Sequence, residues 1–355
     1  MAGCLTKETS EEIRAIGFLC AVLVVPIHCV SATSQWIAGN VVASRWVAAV
    51  QIIGSDTLSR LAVPWFFVIS GFFLVRKLCP TASCREIGVW WRDSVLKRMM
   101  TLGVPYVLWN VIYYIFKLVT GKYSFDIGQC IEQLSGWNLI DVPACGQFWY
   151  IRCLLIYVLV APVFVMLMRI KRVGLVVLGV LSLAWVFGMP LPIPVYVQPM
   201  DYSYLLYFSS GMFAAFHSDS LTIRREIGAG VAIAFISCAA GVVIGGVNRV
   251  SVLSQVSGKL MILFGLPMLW FGRTYITAAL RPCAKVWNQG FFIYAFHILV
   301  VSIVGKLMNG LLPDQYHTIG YLVKAACGIG VSVLLGCAIN RFASPIFKLL
   351  CGGRC

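Results

Sequence analysis

The chain has 355 residues, of which 60% are hydrophobic and 12% are charged. Ordinary soluble domains carry about 25% charged residues, so this composition and a mean hydropathy of +0.88 indicate a polytopic membrane protein without a separate soluble domain. The formal net charge of +15 is compatible with nucleic-acid binding by itself, but the positions of the basic residues, described below, argue against a nucleic-acid partner.

Apolar segments of about 17–25 residues are long enough to cross a bilayer as helices. We therefore predict an all-α fold, a membrane helical bundle of about ten transmembrane helices that forms a single domain over 1–355. The apolar stretch 41–53 is typical of an interfacial or re-entrant segment that leads into the second helix. The predicted helices lie near 13–33, 61–79, 96–119, 148–168, 173–190, 202–217, 227–246, 259–275, 288–308 and 319–341.

The first predicted helix carries two ionisable residues, Arg14 and His28, in an apolar context. Their spacing returns the two side chains to within about 40° of each other around the helix axis. Ionisable groups at membrane depth usually face a protein interior or a water-filled cavity, where they often have a function. Acidic residues precede this segment and many similar segments follow it, which argues against a signal peptide. Pro26 either opens the helix beside His28 or is a packing kink.

Basic residues cluster on alternate connections between the predicted helices. The connection 190–202, on the opposite side, contains no Lys or Arg. Because positive charge stays cytoplasmic, we predict that both termini are cytoplasmic and that the excess charge also suits anionic lipid or an anionic cytosolic ligand. The basic residues on the predicted cytoplasmic side are Arg76, Lys77, Arg85, Arg92, Lys97, Arg98, Arg169, Lys171, Arg172, Arg224, Arg225, Arg273, Arg281, Lys285, Lys348 and Arg354.

Six of the fourteen cysteines lie in apolar predicted helices, where cysteine behaves as a small hydrophobic residue. Cys130 and Cys145 share the predicted external connection 120–147, the expected cover over a site, and can pair if that side is oxidising; the sequence leaves this open. Cys79 and Cys84 lie on the cytoplasmic side without a neighbouring histidine, so we expect no zinc or other metal site.

Six segments along the chain are informative when they are considered together. They are RAIGFLCAVLVVPIH (14–28), VPWFFVISGFFL (63–74), KRMMTLGVPYVLW (97–109), FWYIRCLLIYVLVAPVF (148–164), YLLYFSSGMFAAF (204–216) and FFIYAFHILVV (291–301). In order and spacing they resemble the acyltransferase-3 family of integral-membrane acyltransferases, in its branch of small surface-polysaccharide O-acetyltransferases. The resemblance runs over nearly the whole chain and agrees with the predicted helix count.

The resemblance implies transfer of an acyl group, commonly acetyl from cytosolic acetyl-CoA, to a hydroxyl of a cell-surface polysaccharide or lipid-linked sugar. It also implies a multi-pass protein of the bacterial inner (plasma) membrane. The family's first-helix arginine and histidine match Arg14 and His28, but thirteen residues rather than ten separate them here. A straight helix would place the two about 21 Å apart along its axis. Thr101 and Leu154 also replace a second arginine and a glutamate of related enzymes.

The chemistry of acyl transfer assigns roles to three of these residues. A neutral imidazole can take the proton of a sugar hydroxyl while the oxygen attacks the thioester, so His28 is assigned as general base. The alternative is a buried histidine bonded to a neighbouring helix. CoA phosphates require fixed cations, and Arg14 and Arg98 are assigned to them. The alternative for both arginines is a cytoplasmic anchoring charge.

Four further residues are assigned to substrate binding. His297, deep in the ninth predicted helix, either forms a second polar wall or binds the acceptor, and Tyr294 lies one turn before it. A packing role is the alternative for His297. Trp149 and Arg152 begin the fourth predicted helix from the external side, where an aromatic ring and a cation can bind a glycan. Trp149 also fits an interfacial aromatic belt.

Two other classes of function compete with acyl transfer. Ten helices with intramembrane Arg and His also suit a transporter or flippase of a glycan or lipid-linked substrate. Such proteins often contain two related halves, and no internal repeat is apparent here. A purely structural membrane protein is disfavoured by two histidines within predicted spans. The acceptor, the acyl group and the oligomeric state are not readable from the residues.

Overall fold

The computed structural model describes residues 6–30, 45–135, 143–189, 201–218, 223–311 and 317–353. Throughout these residues the chain forms helices and no β-strand, which confirms the predicted all-α class. The α-helices are α1 (Lys7–Ile27), α2 (Arg45–Asp56), α3 (Ala62–Val75), α4 (Cys84–Arg98), α5 (Val104–Val119), α6 (Ile127–Ser135), α7 (Trp149–Leu159), α8 (Ala161–Met168), α9 (Lys171–Val186), α10 (Tyr202–His217), α11 (Arg225–Val247), α12 (Ser251–Phe271), α13 (Arg273–Leu280), α14 (Gly290–Leu311), α15 (His317–Phe342) and α16 (Ser344–Leu350). Short 3-10 helices span Leu58–Leu61, Gly146–Phe148 and Arg281–Gln289, and a π-helical turn spans Met99–Gly103.

Within the described part of the chain, six helical segments are long and apolar enough to cross a membrane, or seven if the bent pair α7–α8 is one span. Helices α9 and α10 have 16 residues each, fewer than the roughly 20 that a spanning helix needs. The multi-pass class is therefore supported, whereas the count of ten and the side of the termini stay predictions. The six segments are Arg45–Val75, Cys84–Val119, Arg225–Val247, Ser251–Phe271, Arg273–Met308 and Thr318–Phe342.

The start of α4 and the course of the span predicted over 148–168 differ from the predictions. The helix predicted from 96 onward begins at Cys84, because a capping box precedes it: the backbone N–H of Glu86 donates to Ser83 Oγ (3.3 Å), and the backbone N–H of Ser83 donates to Glu86 Oε2 (2.7 Å). Such reciprocal bonds satisfy the free donors of a helix start. The span predicted over 148–168 bends by 69° between α7 and α8. Pro162 lies in the first turn of α8, where its missing N–H interrupts the helical bonds.

The chain packs into two compact units, which are described separately. The first unit comprises Leu5–Phe66 and Ser220–Ala338, and the second comprises Phe67–Asp219 and Ile339–Cys355. In the first unit, α1 packs against α13, α14 and the 3-10 helix before α14, and α11 forms a long hairpin with α12. The N-terminal helix thus joins helices from the C-terminal third of the chain. The predicted single domain stays a prediction.

In the second unit, the C-terminal part of α3 crosses α10 at two glycines. A Cβ atom at Gly71 would overlap the backbone carbonyl oxygen of Phe208, and one at Gly211 would overlap that of Val68. The two backbones therefore approach each other as closely as only glycine permits. Helix α16 closes this unit on α5, where Trp109 Nε1 donates to the carbonyl of Leu350 (3.0 Å).

Candidate active site

His28 lies in the turn that ends α1. The helix stops at Ile27, and the backbone N–H groups of His28 and Cys29 donate to the carbonyls of Val25 (3.0 Å) and Pro26 (3.1 Å). Pro26 has no backbone N–H to donate to the helix. The hydrogen bonds of the last turn join residues three apart, as in a 3-10 helix. The prediction that His28 lies within a continuous helix over 13–33 is therefore wrong: its side chain is exposed at a helix end. Residues 31–44 lie outside the described residues.

The end of α1 is fixed by side chains from two other helices. Ser55 Oγ, on α2, donates to the carbonyl of Pro26 (3.0 Å). Tyr321, on α15, lies with its hydroxyl 3.1 Å from Ser55 Oγ, and because that oxygen already donates to Pro26, Tyr321 is the donor in this pair. The Pro26 carbonyl thus accepts two hydrogen bonds, one from the Cys29 backbone and one from Ser55, and these contacts hold the helix end that precedes His28.

His297 is the nearest aromatic neighbour of His28 that the structure describes. The two ring centroids lie 5.1 Å apart with the planes at 46°, so packing of α14 on α1 unites two residues that are far apart in the sequence. The His297 ring is fully buried, and its Nδ1 lies 2.9 Å from the carbonyl oxygen of Ile293. A carbonyl can only accept, so Nδ1 carries the proton and Nε2 of the neutral ring has a lone pair.

Tyr294 faces a different set of neighbours. Its ring is buried, and its centroid lies 6.3 Å from that of Phe66 and 6.2 Å from that of Phe291. The predicted contribution of Tyr294 and His297 to substrate binding stays a prediction.

Arg60 is a cation beside His28 that the sequence did not single out. It lies in the 3-10 helix before α3, interacts electrostatically with His28, and forms an ion pair with Asp56 in which Nε lies 3.0 Å from Oδ1. The sequence does contain an indication of it: Asp56 and Arg60 are spaced four residues apart, as an ion pair on a helix would be, directly before the segment 63–74.

Arg14 projects from α1 on an exposed face, as His28 does at the end of the helix. The rotation of α1 is fixed by Glu12, which is 4% exposed and accepts from Arg273 Nε (3.0 Å) and from the hydroxyl of Thr274 (3.1 Å). A buried carboxylate needs such partners. Glu12 therefore faces inward and leaves Arg14 outward, where its assignment to CoA phosphates stays a prediction.

Arg98, Trp149 and Arg152 belong to the second unit. Arg98 is half-buried at the end of α4 and interacts electrostatically with Tyr150, whose hydroxyl lies 3.1 Å from Ser70 Oγ. Tyr150 thus links the segments 97–109 and 63–74, since it interacts with Arg98 of the first and Ser70 of the second.

The two residues assigned to glycan binding are less accessible than the sequence suggests. The Trp149 ring packs 4.8 Å from that of Tyr204 and 6.3 Å from that of Phe67, and Arg152 is only 5% exposed. Their role in substrate binding stays a prediction. Cys130 and Cys145 are separate thiols in the structure.

A family model described as an acyltransferase domain matches residues 12–341. The chain belongs to the acyltransferase-3 family. No curated protein and no solved structure matches it. Family membership identifies a membrane acyltransferase and favours acyl transfer over the transporter alternative. The matched range includes the histidine pair, Arg60 and Arg98.

This acyltransferase also contains a second cation near the end of α1. Lys324, on α15, is 9% exposed, its side chain passes Gly305 of α14, and it interacts electrostatically with the thiol of Cys29. A lysine within an apolar helix is costly to bury and usually functional, and this lysine was visible in the last predicted helix. The acyltransferase therefore combines an exposed imidazole, a buried imidazole and two cations at one helix end.

Proposed function

We propose that this acyltransferase moves an acyl group, expected to be acetyl, from cytosolic acyl-CoA to a hydroxyl of a cell-surface polysaccharide or lipid-linked sugar. We place this activity at the bacterial inner membrane. The observation that carries the proposal is the position of His28: its imidazole is exposed, follows a helix end that Ser55 holds, and interacts electrostatically with Arg60. General base catalysis needs this combination of access and rigidity.

The reaction requires His28 to move one proton. Its unprotonated nitrogen takes the proton of the acceptor hydroxyl while the hydroxyl oxygen attacks the carbonyl carbon of the thioester. The resulting tetrahedral oxyanion needs a cation or hydrogen-bond donors, and Arg60 is proposed to supply the positive charge. Collapse of this intermediate breaks the bond from carbon to sulfur, forms the ester, and returns the proton from His28 to the CoA thiolate.

Arginines that do not touch the reacting atoms are proposed to bind the donor. CoA carries several phosphate charges, and guanidinium groups bind phosphate through paired, charge-assisted hydrogen bonds. Arg14 is exposed on α1, and Arg98 is half-buried at the end of α4. The exposure of Arg14 supports its proposed role in binding CoA. The aromatic rings around Trp149 support its proposed role in binding the glycan.

The test is transfer of labelled acetyl from acetyl-CoA by the purified protein. We expect His28→Gln to lower turnover by at least about 100-fold, the contribution typical of a general base. His217→Gln is the matched control, because His217 lies in the second unit, where its Nε2 meets the carbonyl of Met168 at 2.8 Å, and it is expected to keep turnover. Unchanged turnover in His28→Gln would remove the base assignment.

The acceptor class is tested separately. A strain that lacks this protein should lose acetyl esters from its surface glycan, measured by mass spectrometry before and after mild alkali. An intact ester content would contradict the proposed acceptor while leaving acyl transfer itself open to the first experiment.

A further inference from the structure

The buried histidine holds a hydrogen-bond acceptor that the described residues do not use. His297 Nδ1 donates to the carbonyl of Ile293 at 2.9 Å, which fixes the tautomer and leaves the lone pair on Nε2. Nε2 is buried and has no hydrogen-bond partner among the described residues. A buried polar atom without a partner is costly and calls for an explanation.

Burial restricts what can satisfy this atom. The His297 side chain is fully buried, so a substrate hydroxyl cannot reach Nε2 directly. The neighbour is the ring of His28, whose centroid lies 5.1 Å away. Two imidazoles that share a direct N–H···N hydrogen bond have centroids about 5 Å apart, since the nitrogens then lie about 2.9 Å from each other. Rotation of a histidine ring about its outer torsion is soft, so a small rotation can form the bond.

We propose that His297 is a positioning residue: its Nε2 accepts a hydrogen bond from one ring N–H of His28, and the other nitrogen of His28 stays unprotonated toward the exposed side. This inference rests on the proposed role of His28 as base. A base must present its lone pair to the hydroxyl, and the partner of the opposite nitrogen decides which nitrogen that is. The order is then Ile293 carbonyl, His297, His28 and acceptor hydroxyl.

The opposite exposures of the two rings support this order. His28 is exposed and can meet a substrate, whereas His297 is fully buried and has the ring of His28 as its neighbour among the described residues. The assignment therefore differs from direct acceptor binding, one of the roles predicted for His297. It also explains why the buried ring of His297 carries its proton on Nδ1 and leaves Nε2 free to accept a hydrogen bond from His28.

Two isosteric variants separate positioning from simple packing. The amide of Asn lies near the position of Nδ1 and that of Gln near the position of Nε2. His297→Asn can keep the bond to Ile293 and most of the packing but cannot reach His28, whereas His297→Gln can reach His28. We expect kcat to fall about 10- to 100-fold in His297→Asn, the loss typical when the hydrogen-bond partner that orients a functional histidine is removed. The KM for acetyl-CoA should stay unchanged. In His297→Gln we expect kcat to recover by at least about tenfold relative to His297→Asn.

The outcomes are distinguishable from failure of the proposed function. Equal kcat in the two folded variants, or a lower kcat in His297→Gln, would overturn the positioning role even if His28→Gln is inactive. If His28→Gln keeps its turnover, the base assignment fails independently of His297.

A spectroscopic measurement on the unmodified protein covers the case in which a variant does not fold. The chain has four histidines, so selective ¹⁵N-histidine labelling gives a simple spectrum. We expect a ¹⁵N–¹⁵N coupling through one hydrogen bond between two rings, and its loss in His28→Gln. A spectrum in which neither ring nitrogen of His28 couples to His297 would overturn the proposal.

Discussion

Arg60 is the cation that interacts electrostatically with His28. It is half-exposed, and Asp56 holds its guanidinium. Half-exposed ion pairs of this kind contribute about 0–1 kcal/mol to stability, so the pair is a weak structural element. A cation that is fixed beside a base is better explained by stabilisation of a developing negative charge.

Replacement of Arg60 is therefore expected to affect catalysis and not folding. We predict that Arg60→Gln lowers kcat by about 100- to 1,000-fold, the loss typical when one oxyanion-stabilising group is removed, with little change in thermal stability. Asp56→Asn is the control, since it releases the guanidinium but keeps the charge, and it should lose far less activity. Steady-state kinetics of both variants test this prediction. Equal losses of kcat in Arg60→Gln and Asp56→Asn would show that the ion pair serves only the fold.

Individual residues were partly predictable. Histidines and a lysine in apolar segments stand out because burial of an ionisable group is expensive, and His28 and His297 were selected on that ground. Their 5.1 Å separation was not predictable, since it results from packing of α1 on α14. Arg60 was missed because a basic residue between predicted helices resembles an ordinary topology charge.

At the scale of helices, the sequence pattern predicts that a helix is present better than it predicts where the helix begins and ends. The capping box at Ser83 and Glu86 marks the start of α4, but the residues after it are polar, and hydropathy therefore places the predicted start at 96. The end of α1 at Ile27 depends on contacts from Ser55 and Tyr321, which no local pattern contains. The 69° bend between α7 and α8 has a local sign in Pro162, but prolines are also tolerated in straight membrane helices.

The crossing of α3 and α10 gives a prediction for the two helices themselves. A methyl group at Gly71 or Gly211 would overlap a carbonyl oxygen of the facing helix, and because backbone cannot move aside as a side chain can, the helices must separate. We expect Gly71→Ala and Gly211→Ala each to destabilise the protein by about 1–3 kcal/mol, the usual cost of overpacking. Thermal unfolding in detergent measures this.

Gly88 provides the matched control for that experiment. It lies in the exposed part of α4, and a Cβ there would meet nothing within 4 Å. Alanine is a better helix former than glycine by up to about 1 kcal/mol, so Gly88→Ala should be neutral or stabilising. A loss of stability in Gly88→Ala equal to that in Gly71→Ala would show that the close crossing does not limit stability.

At the scale of the whole molecule, the first unit is assembled from two separate parts of the sequence, Leu5–Phe66 and Ser220–Ala338. Hydropathy identifies membrane helices one at a time and contains no information on which of them pack together. The class of fold followed from composition and the lengths of the apolar segments, while the partners of α1 required three-dimensional packing. The site depends on those partners, since α2, α14 and α15 all contribute to the surroundings of His28.

The number of membrane crossings determines on which sides the termini lie. Six or ten crossings place both termini on one side, whereas seven, with α7–α8 as one span, place them on opposite sides. The distribution of basic residues favours a cytoplasmic position for both termini.

We therefore expect a reporter that is fluorescent only in the cytosol to be active when fused to either end of the full chain. The stretch 190–200 lies outside the described residues and contains no Lys or Arg. A reporter that works only on the external side should be active when it is inserted there. Opposite results at the two termini would contradict the predicted topology and support an odd number of crossings.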